Sequence, residues 1–238
     1  MTRTVKDAAI LLKAIAGYDP RDNYTSAIPN NHSIPDYVTA CRPGALKGAR
    51  IGIPFNILNG DPTPESAAFA AALEVMKVAG AELVSANFTS PHAVINASVL
   101  QADFVSDLAA YLAELTHNPH NITSLEDLRR FTQTFPAEEW PSRNTAMWDA
   151  ALGLAYNNTD FRFWAALQQN YYGGGEGGLL GAIKRNNVSA IALPSSQSPG
   201  RAAVVGAPVV TVPLGFWPDG TDVRNSSRGR AAQAPDIP

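Results

Sequence analysis

Residues 50–88 place a helical segment between two short apolar runs, and this alternation constrains the fold more than any other stretch. Arg50 to Phe55 (RIGIPF) predicts a short buried strand. A Thr-Pro-Glu start at Thr63 predicts a helix that ends at Gly80. Ala81 to Phe88 (AELVSANF) predicts the next strand. Such a β–α–β unit implies parallel strands joined by a right-handed crossover, and therefore an α/β protein.

Residues 5–16 predict an amphipathic helix at the start of the chain. The Thr4 hydroxyl can cap its first turn, and Gly17 can end it in a left-handed conformation. Apolar side chains recur at helical spacing, which predicts a buried face formed by Val5, Ala8, Leu12 and Ile15. No secretory signal and no membrane span is evident in this chain.

The remaining elements complete an α/β pattern of a mixed, mostly parallel sheet flanked by helices. Proline, asparagine and serine punctuate residues 19–47, which predicts a long surface loop. Helices are expected over 91–115, from the capping serine Ser124, over the aromatic-rich segment 137–172, and over 179–186; strands are expected over 189–193 and 208–213. The polar, proline-rich end 220–238 predicts a disordered tail.

Several segments in the same order resemble amidase-signature hydrolases, most closely the fungal amidases of that family. The run MTRTVKDAA at residues 1–9 is similar to the segment that follows the family's catalytic signature. The similarity continues through YDPRD (18–22), ALKGARIGIP (45–54), VSAIALPSS (188–196) and VGAPVVTVPLGFWPDG (205–220). These pieces span nearly the whole chain, which is therefore expected to be a single partial amidase-like domain over 1–238.

This resemblance implies hydrolysis of a linear, small-molecule amide by a Ser–Ser–Lys triad, without metal or organic cofactor. In the family, the serines and the main-chain oxyanion donors lie in a Gly/Ser-rich signature upstream of the segment matched at residue 1. The family also continues beyond the point matched at residue 238. We therefore expect a chain truncated at both ends, without catalytic residues of its own and inactive alone.

Two short segments are candidates for the wall of a substrate pocket. Ser195 and Ser196 follow an apolar run ending in Leu193-Pro194, where α/β sheets bind ligands, and this loop lines the pocket in the family. Family analogy also points to Phe216 and Trp217. A plain turn is the alternative for the serines. A nucleophilic serine is disfavoured because no G-x-S-x-G elbow surrounds them.

Other suggestive patterns have simpler explanations. Residues 173–178 (GGGEGG) fit G-x-G-x-x-G, but a helix rather than a strand precedes them, so a mobile inter-helix loop is expected. The histidines have no further ligands at metal-binding spacing, and the lone Cys41 is expected to be an inert thiol. The aromatic side chains of 140–172 suit either a protein core or an acyl pocket.

Charge composition disfavours two classes of partner. The 18 basic and 21 acidic residues leave a net charge of −3, which argues against a nucleic-acid surface. Lysine-rich runs that would bind anionic membranes are absent from the sequence.

Asparagine sequons occur more often than composition explains. With 16 asparagines and 29 serines and threonines, chance gives about two N-x-[ST] triplets. The sequence holds eight, which are candidates for N-glycosylation and suggest a secreted parent protein: Asn23, Asn31, Asn87, Asn96, Asn121, Asn157, Asn187 and Asn225.

Three interpretations of the chain remain open. It is a piece of an amidase, a non-catalytic binding or pairing protein derived from one, or an enzyme that uses its own Ser195/Ser196 loop. Halving a sheet leaves unpaired edges and apolar surface, which predicts marginal stability and, in the second interpretation, a protein partner that covers the open edge.

Overall fold

A computed structural model describes residue 2 and residues 4–58, 63–92, 96–194, 197, 199–212 and 214. Its helices are α1 Val5–Ile15, α2 Pro29–His32, α3 Tyr37–Ala40, α4 Pro64–Val78, α5 Ser98–Ala113, α6 Leu125–Thr134, α7 Ala146–Leu152, α8 Phe161–Gly174, α9 Leu179–Asn186 and α10 Pro199–Ala203. Its strands are β1 Arg50–Ile53, β2 Glu82–Ser85 and β3 Ala190–Ile191. Short 3₁₀ turns cover Asn23–Ala27, Phe55–Ile57 and Pro136–Glu138.

The strands form a parallel sheet in the order β2-β1-β3. In the central strand, Ile51 lies opposite Leu83 of β2 and Ala190 of β3. Ile53 of β1 is fully buried, as expected for a strand with neighbours on both sides. The expected α/β fold, a parallel sheet with flanking helices, is confirmed.

Local signals set the bounds of α4 as predicted. The Thr63 hydroxyl accepts from the Ser66 main-chain N–H at 3.1 Å, and the Ser66 hydroxyl accepts from the Thr63 N–H at 2.9 Å. This reciprocal pair satisfies two N–H groups that a helix start otherwise leaves unpaired. Gly80 ends the segment with a φ of +94°, a conformation that glycine adopts without strain.

The described residues divide into two compact units. The first comprises those of 1–87, 182–199 and 208–238, and the second those of 88–181 and 200–207. Each unit has its own apolar core: Ile51, Ile53, Phe69 and Ala81 in the first, and Val99, Ala102, Phe163 and Ala166 in the second. The single partial domain expected from the sequence stays a prediction.

Helix α1 has the predicted bounds but not the predicted burial. The Thr4 hydroxyl accepts from the Asp7 N–H at 3.1 Å, so the cap is confirmed. Only Ala9 is buried, whereas the expected core residue Ile15 is 73% exposed. The left-handed end at Gly17 was also a wrong prediction, because α1 ends at Ile15, Ala16 after it is extended, and Gly17 has no positive φ.

Other segments depart from their predicted structure. The expected loop 19–47 contains α2, α3 and a 3₁₀ turn, because Asp22 and Asp36 side chains cap turns within it. The strand expected over 208–213 is absent from the described residues 208–212, where no ladder hydrogen bond forms, and Val210 is 72% exposed. The tail 220–238 lies outside the described residues.

The long helix expected over 91–115 begins only at Ser98 among the described residues. The helical segment 137–172 is divided into α7 and α8. Its aromatic side chains do not form a single core. Phe163 is buried and Trp148 is half-buried, whereas five others are exposed by 47–79%: Trp140, Phe161, Trp164, Tyr171 and Tyr172.

Candidate functional site at the carboxyl edge of the sheet

The carboxyl ends of all three described strands meet at one edge of the sheet, because their pairing is parallel. The chain leaves β1 at Pro54 and β2 at Ala86, both of which are buried. The Ala86 N–H donates to the Ile53 carbonyl at 2.9 Å. On the other side of β1, the Ala192 N–H donates to the Gly52 carbonyl at 3.0 Å. Hydrogen bonds thus extend the sheet past the strand ends and fix this edge.

A side chain reinforces the connection between the exits of β1 and β2. The Asn87 side-chain Oδ1 accepts a hydrogen bond from the main-chain N–H of Asn56 at 3.2 Å. Asn56 lies in the 3₁₀ turn that follows β1. The two segments that leave the sheet here are therefore held to each other, which braces this edge of the sheet.

Gly52 lets the elements at this edge approach closely. A Cβ atom at this position would lie 2.6 Å from Ile191 Cδ1 and 2.7 Å from Ala86 Cβ. Both distances are far shorter than a van der Waals contact between carbon atoms. The glycine is therefore required by packing at the centre of the sheet.

The loop after β3 carries the predicted pocket serines, but Ser195 and Ser196 lie outside the described residues. So do Phe216 and Trp217, and their role as pocket residues remains a prediction. The structure does describe Gln197, whose N–H donates to the Pro194 carbonyl at 3.0 Å. Its side-chain Oε1 is buried and has no hydrogen-bond partner within the described part of the chain.

No sequence pattern singles out Gln197. A buried amide oxygen without a partner is costly, so such atoms concentrate where a ligand or water completes the hydrogen bond. The signal in the sequence was weak, because a glutamine within a Ser/Pro loop after a strand is common at exposed turns. Only the structure shows that the side-chain oxygen of Gln197 is buried, and this burial distinguishes Gln197 from a glutamine at an exposed turn.

In the second unit, Arg201 of α10 is held by main-chain oxygens. Its guanidinium donates to the Pro91 carbonyl at 2.6 Å and to the Gly173 carbonyl at 3.5 Å. It also lies over the ring of Phe88, 5.2 Å from the centroid. Burial lowers the pKa of this guanidinium, which nevertheless stays charged at neutral pH. Arg201 thus fixes α10 within this unit.

The glycine run 173–178 packs closely against neighbouring residues and does not have the context of a nucleotide-binding loop. As expected, a helix precedes it, since α8 runs to Gly174. A Cβ at Gly174 would lie 2.5 Å from Val204 Cγ2 and 2.6 Å from the Arg201 carbonyl oxygen. The rest of the run joins α8 to α9, as expected, but most of the run is buried, including Gly173 and Gly175, which disfavours the expected mobility of this loop.

Two of the four histidines pack against aromatic rings, and the cysteine lies beside a main-chain oxygen. His120 lies against Phe131, with ring centroids 4.8 Å apart, and His32 stacks on Tyr18 at 4.3 Å. The Cys41 thiol lies 3.3 Å from the Tyr37 carbonyl oxygen. Within the described residues, no group of three or more His, Cys, Asp or Glu side chains is placed to hold a metal ion. Nor is any helix there long and apolar enough to cross a membrane.

Sequence comparisons support the predicted resemblance to amidase-signature hydrolases. Residues 1–170 match the family model described as Amidase. The whole chain aligns at 49% identity with an Arthroderma benhamiae protein named "Putative amidase", of which it covers 41%. The family match thus extends over more than half of the chain, and the alignment with this fungal relative extends over all of it.

Solved structures agree with this result. The native peptide amidase of Stenotrophomonas maltophilia superposes with a TM-score of 0.72 at 26% identity, over 92% of this chain and 46% of that one. An amidase family protein of Bacillus anthracis gives 0.76 at 22% identity, over 92% and 42%, and supports the fold alone. The chain thus spans less than half the length of these relatives. By its sequence and its fold, the chain belongs to the amidase family.

Proposed function

We propose that this chain forms the C-terminal part of a hydrolase that cleaves the C–N bond of a linear, small-molecule amide. The observation that carries the proposal is the alignment of the whole chain at 49% identity with a fungal amidase relative more than twice as long. The opening run MTRTVKDAA is similar to the family segment that follows the catalytic signature. The Ser–Ser–Lys triad and the oxyanion donors would then lie in the part of the relative's length that this chain does not cover.

In such a reaction, a serine oxygen attacks the amide carbonyl carbon and main-chain N–H groups hold the oxyanion that forms. The amine then leaves with a proton from the serine–lysine relay, and water hydrolyses the acyl-enzyme. This chain would contribute the wall that orients the substrate. The fixed sheet edge at Pro54 and Asn87 supports that role, and Ser195, Ser196, Phe216 and Trp217 are the candidates for direct contact.

The test compares two proteins of different length. The full-length protein and residues 1–238 alone are assayed for release of ammonia or amine from short peptide amides and simple aliphatic amides. Peptide amides are the first choice because a solved relative is a peptide amidase. We expect turnover by the full-length protein and none by the short chain. Turnover by residues 1–238 that is lost in Ser195→Ala or Ser196→Ala would instead support an enzyme that uses its own loop.

A second candidate function, a non-catalytic pairing protein, is favoured by one observation. Helix α1 exposes a row of apolar side chains, including Ile10, Leu11 and Ile15, of which 48–73% is exposed. Exposed apolar surface of this kind is usually covered in a working assembly. In the first proposal the cover is the remainder of the same polypeptide. In the second it is a separate protein that also closes the open sheet edge.

The native mass separates these two candidates. The endogenous protein is captured with an antibody to residues 137–172, deglycosylated and weighed. A polypeptide about twice the 25.3 kDa of this chain, or larger, supports the amidase. A 25.3 kDa polypeptide that copurifies with a stoichiometric second protein supports the pairing function. In the second case, Ile15→Lys should weaken that association, whereas the exposed control Lys6→Gln should not.

A further inference from the structure

We propose that the protein is N-glycosylated at the sequons whose asparagine the fold leaves exposed, with Asn157 as the reference site. Seven of the eight sequons lie in the described residues, and Asn225 lies outside them. The asparagine is exposed in six of the seven: Asn23, Asn31, Asn87, Asn121, Asn157 and Asn187. This inference is independent of the proposed hydrolysis.

Local backbone conformation explains some of these asparagines but not the sequons. Asn31, Asn121 and Asn187 have φ angles of 55°, 50° and 48°, a left-handed conformation that asparagine tolerates better than most residues. This preference accounts for the asparagine alone. It does not account for the serine or threonine that recurs two positions later, which is the feature that attachment of a glycan requires.

At Asn157 the two required groups are already in contact. The Thr159 hydroxyl lies 2.7 Å from the Asn157 side-chain Oδ1, and the Thr159 N–H donates to the same oxygen at 3.0 Å. Both residues are exposed. This Asx turn occupies the carboxamide oxygen, and the side-chain nitrogen makes no hydrogen bond within the described residues. The sequon therefore stands on the surface in a compact, defined turn.

Asn96 differs from the other described sequons. Its side chain is half-buried, and its Oδ1 accepts from the Ser98 N–H at 3.0 Å at the start of α5. Its own N–H and carbonyl are both bound by the buried side chain of Asn170. A glycan here would have to displace packed neighbours, so the folded protein is expected to carry none at this position.

The chemistry requires a lipid-linked oligosaccharide diphosphate as donor, which the secretory pathway of a eukaryote supplies. The asparagine Nδ2 forms a bond to the anomeric carbon of the first sugar and loses a proton. The bond between that carbon and the diphosphate oxygen breaks, and the lipid diphosphate leaves. The 49% identity to a fungal protein is consistent with such a host.

The test uses the full protein isolated from its own organism. It is treated with peptide N-glycosidase in heavy-oxygen water, which converts each glycan-bearing asparagine to a labelled aspartate that peptide mass spectrometry locates. We expect label at Asn157 and none at Asn96. An unlabelled Asn157, or label at Asn96, would overturn the proposal.

Matched variants secreted as the full protein by a yeast host give a second readout. Asn157→Gln and Thr159→Ala should each lose the mass of one glycan. Thr159→Ser keeps the sequon and Asn158→Gln changes the neighbouring asparagine, so both should retain that mass. The comparison of Thr159→Ala with Thr159→Ser keeps the test valid if Asn157→Gln fails to fold. An equal glycan mass on all four variants would contradict glycosylation at Asn157.

Discussion

The side chain of Asn170 makes the two hydrogen bonds that a main-chain partner would otherwise make with Asn96. Its Oδ1 accepts from the Asn96 N–H at 2.7 Å, and its Nδ2 donates to the Asn96 carbonyl at 3.1 Å. Asn170 lies in α8 and is 3% exposed, so water cannot substitute for it. This pair fixes the segment that leads into α5.

Replacing Asn170 should therefore destabilise the protein. Asn170→Leu leaves a partly buried donor and a partly buried acceptor of Asn96 unpaired, which should lower the free energy of unfolding by about 1–3 kcal/mol. Urea unfolding measures the change. Gln169→Leu, an exposed change one position earlier on α8, is the control and should stay within about 0.5 kcal/mol of the parent. Equal stabilities for the two variants would show that the pair is unimportant.

Gly174 should not tolerate even one methyl group. In Gly174→Ala the new Cβ would overlap Val204 Cγ2 and the Arg201 carbonyl oxygen, at 2.5 and 2.6 Å. Since a main-chain oxygen cannot move without shifting α10, we expect a loss of about 1–3 kcal/mol in the free energy of unfolding. Gly17→Ala is the control, because nothing lies within 4 Å of its Cβ position. A melting temperature unchanged by Gly174→Ala would contradict the close packing of α10.

Asp36 should titrate at unusually low pH. The Thr39 hydroxyl, at 2.7 Å, and then the Lys13 ammonium, at 3.0 Å, lower the pKa of this carboxyl from 3.8 to about 2. A pKa below the unfolded value means that this carboxylate stabilises the fold above pH 3.8, and that its contribution is lost as the pH falls from 3.8 towards 2.

Substitutions test the two causes separately. Thr39→Val should raise the pKa of Asp36 towards 3.8, and Lys13→Met should raise it by less, as followed by carboxyl-carbon NMR. Lys6→Met, a change on the same helix as Lys13, is the control and should leave the pKa unchanged. A larger rise for Lys13→Met than for Thr39→Val would reverse the assigned order of causes.

Gln197 should matter for catalysis more than for stability, if the proposed amidase function holds. Its Oε1 is buried, with no partner in the described part of the chain, so Gln197→Leu should leave the unfolding midpoint of the full-length protein nearly unchanged. Loss of one hydrogen bond to substrate should lower kcat/KM roughly fivefold to tenfold. The exposed control Gln168→Leu should keep full activity. An unaltered kcat/KM in Gln197→Leu would remove this residue from the pocket.

The unit β1–α4–β2 was predictable because its signals are local. Thr63 and Gly80 mark the helix ends through hydrogen bonding and backbone conformation, which depend on neighbours in sequence. The segment 208–213 has an equally apolar sequence, yet its described part forms no strand. A strand exists only when a partner pairs with it, and pairing depends on distant residues.

The site was less predictable for a related reason. Gln197 and the glycine run acquire their significance from burial and from neighbours such as Val204, which no spacing rule reveals. The exposed apolar face of α1 also shows what the sequence pattern leaves open. Its periodicity predicts a helix with an apolar face, but what covers that face is not encoded in the period.

The sheet order β2-β1-β3 also has a consequence for how the chain folds. The first two strands are separated by one helix, so they can pair early during synthesis. The third belongs to a segment that begins only after the whole of residues 88–181, which form most of the second unit. Closing so long an intervening segment carries an entropic cost and slows the pairing. Completion of the sheet is therefore expected to be a late step, and substitutions that delay compaction of residues 88–181 should delay the docking of β3 onto β1.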